Sequence, residues 1–149
     1  QYGGQMRTKV LFYLAISLTH VVPEERPELC ELVALLKKKT KFLEWAFDVK
    51  KWTPKPVDNI YEFDIVRVEM AEFMAAVYLS SAGSDGRGAE VLWRAKRKGN
   101  HGFNIYIRDG VKVSPFITDL AKTFSIPVHI FKSIHDLGEM ILSHISDAQ

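Results

Sequence analysis

AAVYLSSAGSDGRGAEVLWRAKRK, residues 75–98, is an apolar run, a glycine-rich turn and a helix-like run in succession. Ala75 to Leu79 reads as a buried strand, and Val91 to Lys98 as part of a helix. Between them, Ser84 to Glu90 places the carboxylates of Asp85 and Glu90 five residues apart around Gly86 and Gly88. Such a turn lies at the carboxyl end of its strand, where open α/β sheets gather ligands on exposed backbone N–H groups and a helix N-terminus. Glycine lets the backbone pass close to a ligand there.

The same alternation extends outward in both directions. Lys9 to Ser17 is an unbroken apolar and aromatic run, the signature of a strand buried on both faces. Pro23 to Pro27 punctuates a loop, and Glu28 to Lys39 has helical spacing through Leu29, Leu32, Val33 and Leu36. The cations Lys37 to Lys39 suit the negative end of that helix. Phe42 to Val49 reads as a weaker second strand and Lys50 to Pro56 as a loop. Asp58 is a candidate cap for a helix reaching about Phe73, and the third strand follows at Ala75 to Ser80.

Past the quoted stretch, a Gly-Asn-His-Gly turn precedes a fourth strand at Phe103 to Arg108. Ser114-Pro115 opens a helix to about Phe124, with a hydroxyl cap and proline in the first turn. Ile126 to Phe131 is the fifth strand, and Ser133 to about Ile145 the last helix. Five strands alternating with helices predict an α/β domain, doubly wound, with a five-stranded, mostly parallel sheet of flavodoxin-like or Rossmann-like order. Residues 1–8 read as a tail or tag remnant and 9–149 as one domain, in keeping with a chain of 149 residues.

Composition narrows the function classes. A formal net charge of +2 gives no drive toward nucleic acid or an acidic membrane surface. No apolar run approaches the roughly 18 residues of a membrane span. One cysteine, Cys30, excludes an internal disulfide framework and suits a reducing cytoplasm. The five histidines show no metal-ligand spacing, so neither metal nor cofactor is expected. The Gly-x-Gly at Gly86 is too short for a dinucleotide fingerprint and follows the third strand instead of the first.

Asp64 is a carboxylate in an apolar stripe, with Ile60, Val68 and Ala71 along the same helix face. It is either hydrogen-bonded at a site or placed where the stripe meets water. Each candidate also has a structural role open to it. Asp85 suits an N-cap and Glu90 the first turn of a helix, while Tyr13 suits the core. Yet Tyr13, Asp64, Asp85 and Glu90 all come from elements that meet at one sheet edge, as a site requires.

FYLAIS, NIYEFDIVRVEMAEFMAAVYL and SDGRGAEVLWRA, in this order and spacing, resemble the nucleoside 2-deoxyribosyltransferase family and its nucleoside 5′-monophosphate N-glycosidase relatives. The resemblance spans Lys9 to about Ile107. It implies that Glu90 is the nucleophile at the anomeric carbon, that Tyr13 orients it, and that Asp64 binds the base or assists its protonation. By that logic Asp64 needs a raised pKa and Glu90 stays ionised. Asp85 would hold sugar or base. The family spaces this aspartate six residues before the nucleophile, and here Ser84 stands at that place and Asp85 at five.

Ser84, Gly86, Arg87 and Gly88, with Ser80 and Ser81, suit a phosphate, and Ser17 lies at the end of the first strand. Thr19 and His20 are candidates to line the pocket. The resemblance also implies a homodimer or larger assembly; Phe63, Met70, Phe73 and Met74 are candidate contacts for it, with core packing the leading reading of all four. A TIR-like NAD glycohydrolase and a non-catalytic nucleotide-binding module are the competing readings, because such sheets host many functions.

Overall fold

The computed structural model describes residues 9–81 and 85–149. The tail expected at 1–8, Ser84 and the side chain of Asp85 lie outside the described residues. Strand β1 (Leu11–Ile16) is followed by single 3-10 turns at Leu18–His20 and Pro23–Glu25, then helix α1 (Arg26–Lys39). Strand β2 (Lys41–Phe42) leads to a hairpin of β3 (Phe47–Asp48) and β4 (Thr53–Pro54). Helix α2 (Ile60–Met70), strand β5 (Phe73–Tyr78) and helix α3 (Asp85–Lys98) come next. Strand β6 (Phe103–Arg108), helix α4 (Pro115–Phe124), strand β7 (Val128–Phe131) and helix α5 (Ile134–Ala148) complete the order.

The main sheet has the order β2-β1-β5-β6-β7 with every pairing parallel. This is the doubly wound, flavodoxin-like arrangement expected. Helix α1 packs on α5, while α2, α3 and α4 pack in a row. Right-handed crossovers place the two groups on opposite faces. Strand β5 is buried along its whole length, so its residues are apolar without alternation. Phe12, Leu14, Met74, Ile105 and Leu137 are fully buried in the core. Among the described residues, no helix is long and apolar enough to cross a membrane.

Several boundaries differ from the sequence reading, each for a local reason. The second strand is not Phe42 to Val49: β2 ends at Phe42, and Phe47–Asp48 turns away to pair antiparallel with Thr53–Pro54. Asp48 Oδ1 accepts from the backbone N–H of Lys50 and Lys51, a side-chain turn that commits the chain to a hairpin. Helix α2 is capped by Asn59, whose side chain accepts from Glu62 N–H at 3.0 Å, and not by Asp58. It stops at Met70, so the next strand starts at Phe73, two residues earlier than read. Phe73 and Met74 are therefore core residues. The fifth strand begins at Val128, because Ile126 N–H closes back onto Ala121 after a left-handed Ser125. Cys30 is half-buried, and His129 is half-buried with its ring stacked 4.1 Å from that of His144.

Candidate active site

The strand order reverses beside β1. The chain leaves β1 for β2 on one side and returns to β5 on the other. A crevice opens at such a reversal, outside the carboxyl ends of the strands. Here it holds a cavity of about 220 Å³, built from β1 and its following loop, the 45–54 segment, and the first turns of α2 and α3.

Tyr13 points from the middle of β1 to the start of α3, and its hydroxyl donates to Glu90 Oε2 across 77 residues of chain. Both side chains are buried, Glu90 being 8% exposed. Burial pushes Glu90 up to about 8; the charge of Asp64 acts in the same direction, and the Tyr13 hydrogen bond and the Arg87 charge act against it. Tyr13 in turn is held well above the usual tyrosine range by burial and by Glu90. Burial thus works against the ionised Glu90 that the resemblance implies. The cause is desolvation, which disfavours the charged form and has no signature in a sequence.

Asp64 lies on α2 where its apolar stripe changes character. Val68 and Ala71 behind it are fully buried, while Ile60 ahead of it is 55% exposed. Its acidity is weakened by burial, with the Ala46 backbone N–H and the Arg67 guanidinium pulling the other way. Asp64 Oδ1 is buried without a hydrogen-bond partner, and so is Ser17 Oγ. Both residues line the cavity. Two residues with orphaned polar atoms thus line the cavity that also holds Tyr13 and Glu90, a lining that suits a ligand with hydrogen-bonding groups of its own.

Arg87 forms the wall between this cavity and a second one. It is buried, its guanidinium lies 3.9 Å over the Tyr78 ring, and it donates to the Val77 carbonyl at 3.2 Å. The second cavity, of about 290 Å³, is bounded by Arg87, Gly88, Ser80, Ser81, Lys112 and Ser114. Gly86 lines the first cavity. A side chain at Gly88 would meet nothing, so packing does not require glycine there. Of the loop after β1, Thr19 lines the first cavity and His20 does not. Among the described residues, no three His, Cys, Asp or Glu side chains gather as a metal site.

The sequence reading brought Tyr13, Asp64 and Glu90 to one edge and missed the roof above them. Trp45, Phe47 and Pro54 line the cavity from the segment read as strand and loop. Trp45 is fixed by its indole N–H, which donates to the Leu14 carbonyl at 2.6 Å. The signal available was the turn-forming Asp48 between Phe47 and Trp52, whose rings meet edge to face.

No protein-family model matches the chain, and no curated protein matches it in sequence. Among solved structures, it is similar to a CMP N-glycosidase from Clostridium botulinum, BcmB. The TM-score is 0.59 at 13% identity, covering 87% of this chain and 96% of that one. The likeness is one of fold.

Proposed function

We propose that this protein cleaves the N-glycosidic bond of a nucleoside or nucleoside 5′-monophosphate, acting as a domain over residues 9–149. The carrying observation is the Tyr13–Glu90 hydrogen bond in the switch-point cavity, with the second carboxylate, Asp64, lining the same space. Support comes from the resemblance of the three sequence segments and from the shared fold with a CMP N-glycosidase.

As substrate binds, Glu90 in this reading passes its proton to the Asp64 carboxylate and attacks the anomeric carbon. The bond to the base breaks, its electron pair leaves with the base, and protonated Asp64 supplies the proton. Water or another base then attacks the same carbon, gives its proton to the Asp64 carboxylate and releases the Glu90 carboxylate, for hydrolysis or deoxyribosyl transfer. Tyr13 holds the glutamate on its line of approach. Trp45 and Phe47 supply aromatic surface for the base, and Ser17 a hydroxyl for the sugar. Arg87, with Lys112 and the Ser80, Ser81 and Ser114 hydroxyls beside it, suits a 5′-phosphate. The roles of Ser84, Asp85, Gly86 and Gly88 belong to the same proposal, as do a cytoplasmic setting and a homodimer or larger assembly.

The test is incubation with a panel of nucleosides, deoxynucleosides and their 5′-monophosphates, with NAD included, followed by measurement of free base. Release of base from a nucleoside or nucleotide, lost in Glu90→Ala with ligand binding retained, is the expected outcome. Nicotinamide release from NAD alone would transfer the assignment to an NAD glycohydrolase. Binding without any release would leave a nucleotide-binding module.

A further inference from the structure

Glu90 and Asp64 sit on different helices, and one buried cation joins those helices a single turn further along both. Arg94 follows Glu90 by four residues on α3 and is 1% exposed. Its Nη1 donates to the carbonyls of Val68 and Ala71, each at 2.7 Å. Val68 follows Asp64 by four residues on α2. The other nitrogen, Nη2, donates to the carbonyls of His101 and Gly102 at 3.1 and 3.3 Å, in the turn that leads into β6.

The partners of this guanidinium are backbone oxygens, not a carboxylate. Val68 and Ala71 lie at the carboxyl end of α2, the negative end of its dipole. A rigid fork that bonds two segments at once fixes their separation as a point charge on a flexible stem does not. Four residues along a helix is a rise of about 6 Å. The Arg94–Val68 tie thus lies that far from the level of the two carboxylates on both helices.

We infer that Arg94 is a positioning residue for the carboxylate pair: by clamping the end of α2 to α3 it sets the distance from Asp64 to Glu90. The inference rests on the reading that these two groups act together on one substrate. The Asp64 charge raises the proton affinity of Glu90 through space, so the spacing of the two groups bears on ionisation as well as on reach. Other polar ties between the helices gather at Glu69, whose carbonyl accepts from Lys98 Nζ at 2.7 Å. Trp93 Nε1 donates to Glu69 Oε1 at 2.9 Å, and Arg97 approaches the same oxygen at 3.6 Å with its side chain 58% exposed.

Arg94→Lys and Arg94→Gln test the role. Lysine keeps the charge without the fork, and glutamine removes the cost of a buried cation while keeping a donor. Glu69→Gln is the control, weakening a peripheral tie between the same helices. The expected result for both Arg94 variants is a kcat lower by about tenfold or more with KM changed by less than about threefold. The rising limb of the pH profile should also move away from that of the wild type, while Glu69→Gln keeps both. Titration of the Asp64 and Glu90 carboxyl carbons by NMR reads the same coupling without turnover. If the wild-type protein releases no base but the titrations of Arg94→Lys still shift, the functional reading fails and the positioning role stands. Folded Arg94 variants with wild-type titrations and kcat would overturn the inference. So would failure of both to fold, which would assign Arg94 to the fold alone.

Discussion

The Tyr13 hydroxyl donates to the Glu90 carboxylate and so favours its ionised form. Tyr13→Phe keeps the ring and removes only that donor. Glu90 then becomes harder to ionise, and the rising limb of the rate against pH should move up by about one unit. Activity at pH 7 falls about tenfold and recovers toward the wild-type value in alkali. Above the ordinary glutamate range, Glu90 costs the fold stability. Its pKa is raised in the folded state, so its contribution is fully present below the ordinary glutamate range and is lost as pH rises through about 8. Glu90→Gln should therefore abolish base release and yet melt above the wild type in mild alkali, with a flatter dependence of Tm on pH. Calorimetry across that range checks the sign. Stability given up at a buried acid is a common accompaniment of function.

At the scale of elements, the 99–102 turn shows how tightly the helices are brought to the sheet. Gly102 has φ +58, and a Cβ there would collide with the Glu72 carbonyl oxygen beside the Arg94 guanidinium. Gly102→Ala should lower stability by about 2 kcal/mol or more, read as a fall in Tm, through backbone strain and lost room together. Long, periodic elements were legible in the sequence: β1, β5 and β6 as apolar runs, α4 from Ser114-Pro115, and the alternation that makes a parallel sheet. The 45–54 hairpin was not, because two-residue strands carry no period and its pairing is fixed by the Asp48 side chain and tertiary contact. Arg94 was also hidden. In WRAKRK it reads as one more solvated cation, and only the packed structure shows it enclosed. Tyr13 and Asp64 were legible as polar groups set in apolar runs, and Glu90 as a carboxylate closing a glycine-rich turn after a strand.

For the whole molecule, the outer face of α2 leaves Val66 51% and Met70 49% exposed, with Tyr61 exposed nearby. Exposed apolar side chains on one helix fit the proposed association of two copies. The wild-type protein is expected to sediment as a dimer or larger species, and Val66→Glu with Met70→Glu to shift it toward the monomer without loss of helical signal. A wild-type protein that sediments as a monomer at all concentrations would remove the assembly from the proposal. The roof of the cavity has a different bearing on the molecule. Its hairpin hangs outside the ladder, because β2 already closes that edge of the sheet and Trp45 meets β1 through the Leu14 carbonyl. Residues 47–54 pair only with one another and contribute no strand to the five-stranded sheet. On the proposed reading, what the protein accepts is a replaceable part, and loop exchange over an unchanged pair of carboxylates is a route to new specificities.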